Sequence, residues 1–175
     1  TPTPQPTSAP TTCALAAAGS TFTADDNTLH EAKDLWLLSD GENNFYGHIS
    51  TWNTADVTDF EFLWQGADTF NEDIRCWNTA AVLTMASMFN GAHSFNQPIG
   101  RWNTANVETM YAMFSDAPSF NQDLGNWNVT GLDALPADST EWMFKWATAF
   151  QANCDFVGEL CPWNRTKAQL YMDGS

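Results

Sequence analysis

Trp102–Asn126 reads WNTANVETMYAMFSDAPSFNQDLGN, and this stretch decides the fold because the chain repeats it. Trp77–Arg101, WNTAAVLTMASMFNGAHSFNQPIGR, matches it column by column, as does Trp52–Cys76, WNTADVTDFEFLWQGADTFNEDIRC. A fourth unit opens at Trp127, carries an insertion near Pro136–Thr140, and rejoins the pattern at Met143, Phe144 and Phe150. A partial unit, Phe45-Tyr-Gly-His-Ile49, precedes the first. The fixed 25-residue beat of Trp52, Trp77, Trp102 and Trp127 marks a chain built by stacking one unit on the next.

Within Trp102–Asn126, Val107, Met110, Met113 and Phe114 fall at helical spacing, with Asn103, Thr104 or Asn106 placed to cap a helix. Ser115–Ser119 breaks that helix, because the residue before Pro118 is biased away from helical backbone. Phe120, Leu124 and Trp127 are apolar among turn formers, which suggests a short strand over Asp123–Trp127. The expected fold is therefore an α/β solenoid of about four to five coils, with short parallel strands on one side and short helices on the other. Trp52/77/102/127, Val57/82/107 with Leu132, Met85/110 and Phe70/95/120/150 are the expected core. Asparagine recurs after the Trp (Asn53, Asn78, Asn103) and after the Phe (Asn71, Asn96, Asn121). It both donates and accepts, so a ladder between coils is the expected use of these columns.

Outside the repeat the chain divides further. Residues 1–12 form a Thr/Pro-rich linker, of the kind found as O-glycosylated stalks. Residues 13–44 form an N-terminal cap with a helix over Thr28–Ser39, and residues 45–150 carry the repeats. Residues 151–175 read as a disulfide-closed C-terminal cap covering the end coil. Four cysteines permit three pairings. Proximity favours Cys154 with Cys161, which leaves Cys13 and Cys76 to pin the N-terminal segment; a single bridge or free thiols are the alternatives. Asn128-Val-Thr130 and Asn164-Arg-Thr166 are glycosylation sequons, with Asn164 the better acceptor because Asn128 also sits in a repeated Asn column.

The 175 residues carry 21 Asp+Glu against 6 Lys+Arg, a formal charge of −15. Such a surface repels nucleic acid and anionic membranes and suits basic partners or plain solubility. No apolar run reaches the roughly 20 residues of a membrane span. His30, His48 and His93 sit in no catalytic or zinc-binding pattern, so the chain is not read as an enzyme. No cofactor is expected; oxygen-rich Asp25–Asn27 and Asp40–Asn44 leave calcium as an alternative to turn chemistry.

The combination of Met-Phe (Met88-Phe89, Met113-Phe114) with Phe-Asn-Gln (Phe95–Gln97, Phe120–Gln122) on the Trp-Asn beat resembles the BspA-type leucine-rich-repeat surface proteins. The likeness covers about Phe45–Phe150 and is weaker over Leu29–Ile49. It implies a leucine-rich-repeat-like, secreted or cell-surface module, some of whose relatives are similar to adhesins, and it carries no catalytic residue.

Function, on this reading, lies in columns that differ between coils, since packing does not dictate them. These include Glu61, Tyr111 and Trp142, and His48, Asp73, Arg75 and Asp123 along the expected strand. The expected role is an adhesion or binding module for a protein or glycan at a surface or matrix, acting as a monomeric domain of a larger chain. A structural spacer without a ligand is the alternative, and a polysaccharide-active enzyme a distant third.

Overall fold

The computed structural model describes residues 13, 22–39, 45–129, 132, 139–140 and 142–156, the side chains of 153–156 excepted. The Thr/Pro-rich linker, Asp40–Asn44, the Cys154–Cys161 pairing, most of the C-terminal cap and Asn164 lie outside these residues.

The chain enters through α1, Asp26–Leu38, capped by Asp25, whose carboxylate accepts from the amides of Asn27 and Thr28. Thr28 answers by accepting from the Asp25 amide, which closes a capping box and starts the helix two residues before Thr28. Leu29, Ala32 and Trp36 form its buried stripe. A single 3-10 turn, Ile49–Thr51, leads into the first full repeat. At the other end α2, Thr148–Phe156, carries Phe150 into the core.

Between these helices the expected α/β solenoid is overturned. No β-strand is present among the described residues, and the three full repeat units, Trp52–Arg101 and Trp102–Asn126, contain no α-helix; helix enters only at the end of the fourth, where α2 begins. Each coil is a succession of tight turns. In the first, Leu63 donates to Phe60, Gln65 to Phe62 and Ala67 to Trp64, all three residues back. The intervening amides point along the stack: Phe60, Phe62, Trp64 and Gly66 donate to Thr84, Ala86, Met88 and Asn90 of the next coil. Met85, Ser87, Phe89 and Gly91 repeat this onto Thr109, Tyr111, Met113 and Ser115. One amide closes a turn and the next binds the neighbouring coil, so the backbone is satisfied without a regular strand. Parallel pairing survives only as isolated bridges, such as Asp59 to Thr84 and Thr84 to Thr109.

Left-handed residues break the helix. Phe62, Ser87, Ala112 and Trp142 share one positive-φ column, and Gly66, Gly91, Asp116 and Trp146 share a second. A left-handed residue every four positions cannot continue an α-helix. The apolar spacing that reads as helical is nevertheless real. Met110, Met113, Phe114, Ala117 and Phe120 are all buried, because consecutive three-residue turns bring the same positions inward as a helix does. The expected strand over Asp123–Trp127 is likewise a turn, closed by the Trp127 amide on the Leu124 carbonyl.

The expected core columns are all buried. Trp52 stacks on Trp77 and Trp102 on Trp127, at 6.2 and 6.5 Å between ring centroids. The indoles of Trp77, Trp102 and Trp127 donate to the carbonyls of Ile49, Ile74 and Ile99 one coil back. A second aromatic column, Trp64, Phe89, Phe114 and Phe144, lies against Phe70, Phe95, Phe120 and Phe150 at 3.7–4.1 Å. Phe45 departs from its column and is exposed, while Tyr46 packs on Phe22 instead.

Polar ladders bind the coils together at their edges. Thr54, Thr79 and Thr104 each donate 3.0 Å to the carbonyl of Asn78, Asn103 or Asn128 in the next coil. Asn71 accepts from the Asn96 amide and Asn96 from the Asn121 amide, with Gln97 and Gln122 bridging beside them. Cys13 is bridged to Cys76, with 4.9 Å between their α-carbons, so the N-terminal segment is tied to the end of the first coil.

Candidate functional site

The repeat supplies its own controls, because each position can be compared with its equivalents in other coils. On that test the column of His48, Asp73 and Asp123 has a local task. His48 Nδ1 accepts from the Ser50 amide, Asp73 from the Arg75 amide and Asp123 from the Gly125 amide, each two residues on. These are turn-closing bonds of the kind Asp and Asn side chains make at the start of a turn. Arg75 folds back onto the same Asp73 oxygen at 2.8 Å, so these two charges face each other. His48 also lies edge-on to Trp36 and 3.9 Å from Glu72. Glu61 is half-buried, and its amide is held by Asp59.

Tyr111 and Trp142 are brought together. Their ring centroids are 5.7 Å apart on adjacent coils, with Tyr111 half-buried and Trp142 36 % exposed. The structure adds two residues that the column comparison did not single out. Trp146 is 60 % exposed, and Lys145 places its ammonium 4.3 Å from the Trp142 ring centroid and 4.6 Å from that of Trp146. Both distances lie within the roughly 6 Å of a cation–π contact.

Local backbone explains why this cluster projects outward. Trp142 has φ +58° and Trp146 has φ +62°, the left-handed positions of the last described coil. The equivalent residues are Phe62, Ser87 and Ala112 in one column and Gly66, Gly91 and Asp116 in the other. The turn therefore does not need bulk in either place, and glycine fits the second column with no strain. A large aromatic held at positive φ costs backbone energy, and such residues cluster at ligand sites. The signal was present in sequence as Trp142-x-x-x-Trp146, but only the turn geometry places both rings on one edge.

A second cluster joins three coils. His93 Nδ1 lies 2.9 Å from Asp68 and Nε2 lies 3.4 Å from Asp116. The Asp68 hydrogen bond, opposed by desolvation and seconded by Asp116, holds the imidazole above its ordinary 6.5. At the entry end, Asp26 accepts from the amides of Thr58 and Asp59 and from the Thr58 hydroxyl. Desolvation pushes that carboxyl up, but these donors outweigh it and hold it below 3.8. Asp25 and Asp26 are thus engaged as caps, and no group of three His, Cys, Asp or Glu side chains gathers as a metal site among the described residues. No helix among them is long and apolar enough to cross a membrane.

The family model described as Mycoplasma protein of unknown function, DUF285, matches residues 33–157. That span is more than half of the chain and contains every full repeat, and the chain belongs to this family. No curated protein and no solved structure matches the chain.

Proposed function

We propose that this member of the DUF285 family is an extracellular binding module of the BspA-type surface-protein kind, and that it recognises its partner through the edge formed by Tyr111, Trp142 and Trp146. One observation carries the reading: the last described coil alone puts a tryptophan at both left-handed positions, both exposed, where the equivalents are Phe62, Ser87 and Ala112 in one column and Gly66, Gly91 and Asp116 in the other. Amphipathic aromatic rings give large contact area with few rotatable bonds and are enriched where proteins bind partners. The Cys13–Cys76 bridge supports an oxidising compartment, where disulfides persist.

The test is a screen of the domain on glycan and peptide arrays beside Trp142→Ala/Trp146→Ala and Phe62→Ala variants. Phe62 is a control from the same left-handed column, 49 % exposed in the first coil. The reading expects ligands that the parent and Phe62→Ala share and the double variant loses. Ligands retained by the double variant would overturn the assignment of this edge, and none on either array would return the domain to the role of a structural spacer.

A further inference from the structure

The clamp formed by Trp142 and Trp146 is already filled in this structure, and its occupant is an ammonium. Lys145 Nζ sits over both indole rings, 4.3 and 4.6 Å from their centroids. No such arrangement recurs in the stack. The residues equivalent to Lys145 are Gln65, Asn90 and Ser115, and the flanking pairs are Phe62 and Gly66, Ser87 and Gly91, and Ala112 and Asp116. Trp142 touches Tyr111 of the adjacent coil, but neither the pair of rings nor the cation over them recurs among the described coils.

We propose that this clamp receives lysine ammonium groups from a basic segment of a partner protein, and that Lys145 is a resident stand-in which the partner displaces. The inference rests on the reading of this edge as the binding surface. Two features favour a basic protein over other occupants. The indole faces attract cations through their quadrupole, and Lys145 shows that both rings reach one ammonium together. The chain's charge of −15 steers basic partners towards it, repels anionic ones and gives a neutral sugar no added attraction. Displacement carries a particular consequence: a site blocked by its own lysine for part of the time binds more weakly than the same site left open.

The experiment titrates the whole domain with an acetylated, amidated tetralysine peptide and, separately, with neutral oligosaccharides, by calorimetry at about 0.15 M salt, where long-range attraction is screened. The variants are Lys145→Gln, Trp142→Ala/Trp146→Ala and Phe62→Ala, each with its unfolding midpoint measured. Lys145→Gln is expected to bind tetralysine about threefold tighter or better, because the competing ammonium is gone. The double Trp variant, with net charge unchanged, is expected to bind about tenfold more weakly, and Phe62→Ala like the parent. Equal binding by the double variant would overturn the proposal, since the acidic surface alone would then account for affinity. Weaker binding by Lys145→Gln would also overturn it, because Lys145 would then be touching the ligand. Oligosaccharide binding without tetralysine binding, lost in the double Trp variant, would overturn the ammonium assignment and leave the edge standing as a glycan site. Binding of neither, by folded protein with no array ligand, would remove both.

Discussion

Gly100 shows how closely successive coils approach. A β-carbon there would lie 2.2 Å from the carbonyl oxygen of Asp123, a backbone atom fixed by its own turn. Gly66 is the opposite case, with nothing within 4 Å but φ +67°. Gly100→Ala should cost about 2–3 kcal/mol, as overpacking of a tight contact does. Gly66→Ala should cost only about 1–2 kcal/mol, the penalty of a left-handed L-residue. Urea unfolding of the two variants checks the order, and a smaller loss at Gly100 would contradict the close approach. Residue by residue, the sequence was legible where identity repeats. Trp52, Trp77, Trp102 and Trp127 are buried, and Asn71 and Asn96 take up the ladder bonds. It was less legible where different residues do one job. His, Asp and Asp at 48, 73 and 123 vary in type yet each closes a turn on the amide two residues on, so variation of residue type there conceals a shared structural task.

At the scale of elements, the helical spacing of Met110, Met113, Phe114 and Ala117 is satisfied by consecutive turns. Periodicity reports which side chains face inward and is blind to the hydrogen bonds that put them there. The recurrence of Gly66 and Gly91 one coil apart was the trace of the left-handed column, obscured in the next coils by Asp116 and Trp146. The cap helix α1 illustrates a second kind of joint. Its Asp26 supplies, from a side chain, the acceptors that the Thr58 and Asp59 amides would otherwise lack at the stack's open end. Asp26→Ala should therefore cost about 2 kcal/mol at neutral pH, the scale of hydrogen bonds to a charged group. Because this carboxyl is depressed below its ordinary 3.8 in the folded protein, its contribution is present above that value and is lost as pH falls through the folded value. The gap between parent and variant unfolding midpoints should accordingly be widest near neutrality and close in acid. A gap that persists unchanged through acid would show that Asp26 does not act through its charge.

Across the whole molecule, repeated columns hold the stack and the last described coil carries the features the stack does not require. The Cys13–Cys76 bridge closes a loop with a sequence separation of 63, joining the N-terminal segment to the end of the first coil. Cys13→Ser/Cys76→Ser should lose about 3–4 kcal/mol in urea unfolding under oxidising conditions, with the deficit vanishing when the parent is reduced. The division between core and edge then turns on Trp146. A tryptophan of the buried ladder, such as Trp102, should cost about 3–5 kcal/mol on replacement by Ala. Trp146 is 60 % exposed at φ +62°, where two other coils use glycine. Equilibrium unfolding of Trp146→Gly therefore tests the account most directly. The expected result is a midpoint equal to or above that of the parent, as left-handed strain is relieved by up to about 1 kcal/mol. A loss approaching that of Trp102→Ala would contradict it, because Trp146 would then be holding the stack rather than waiting for a partner.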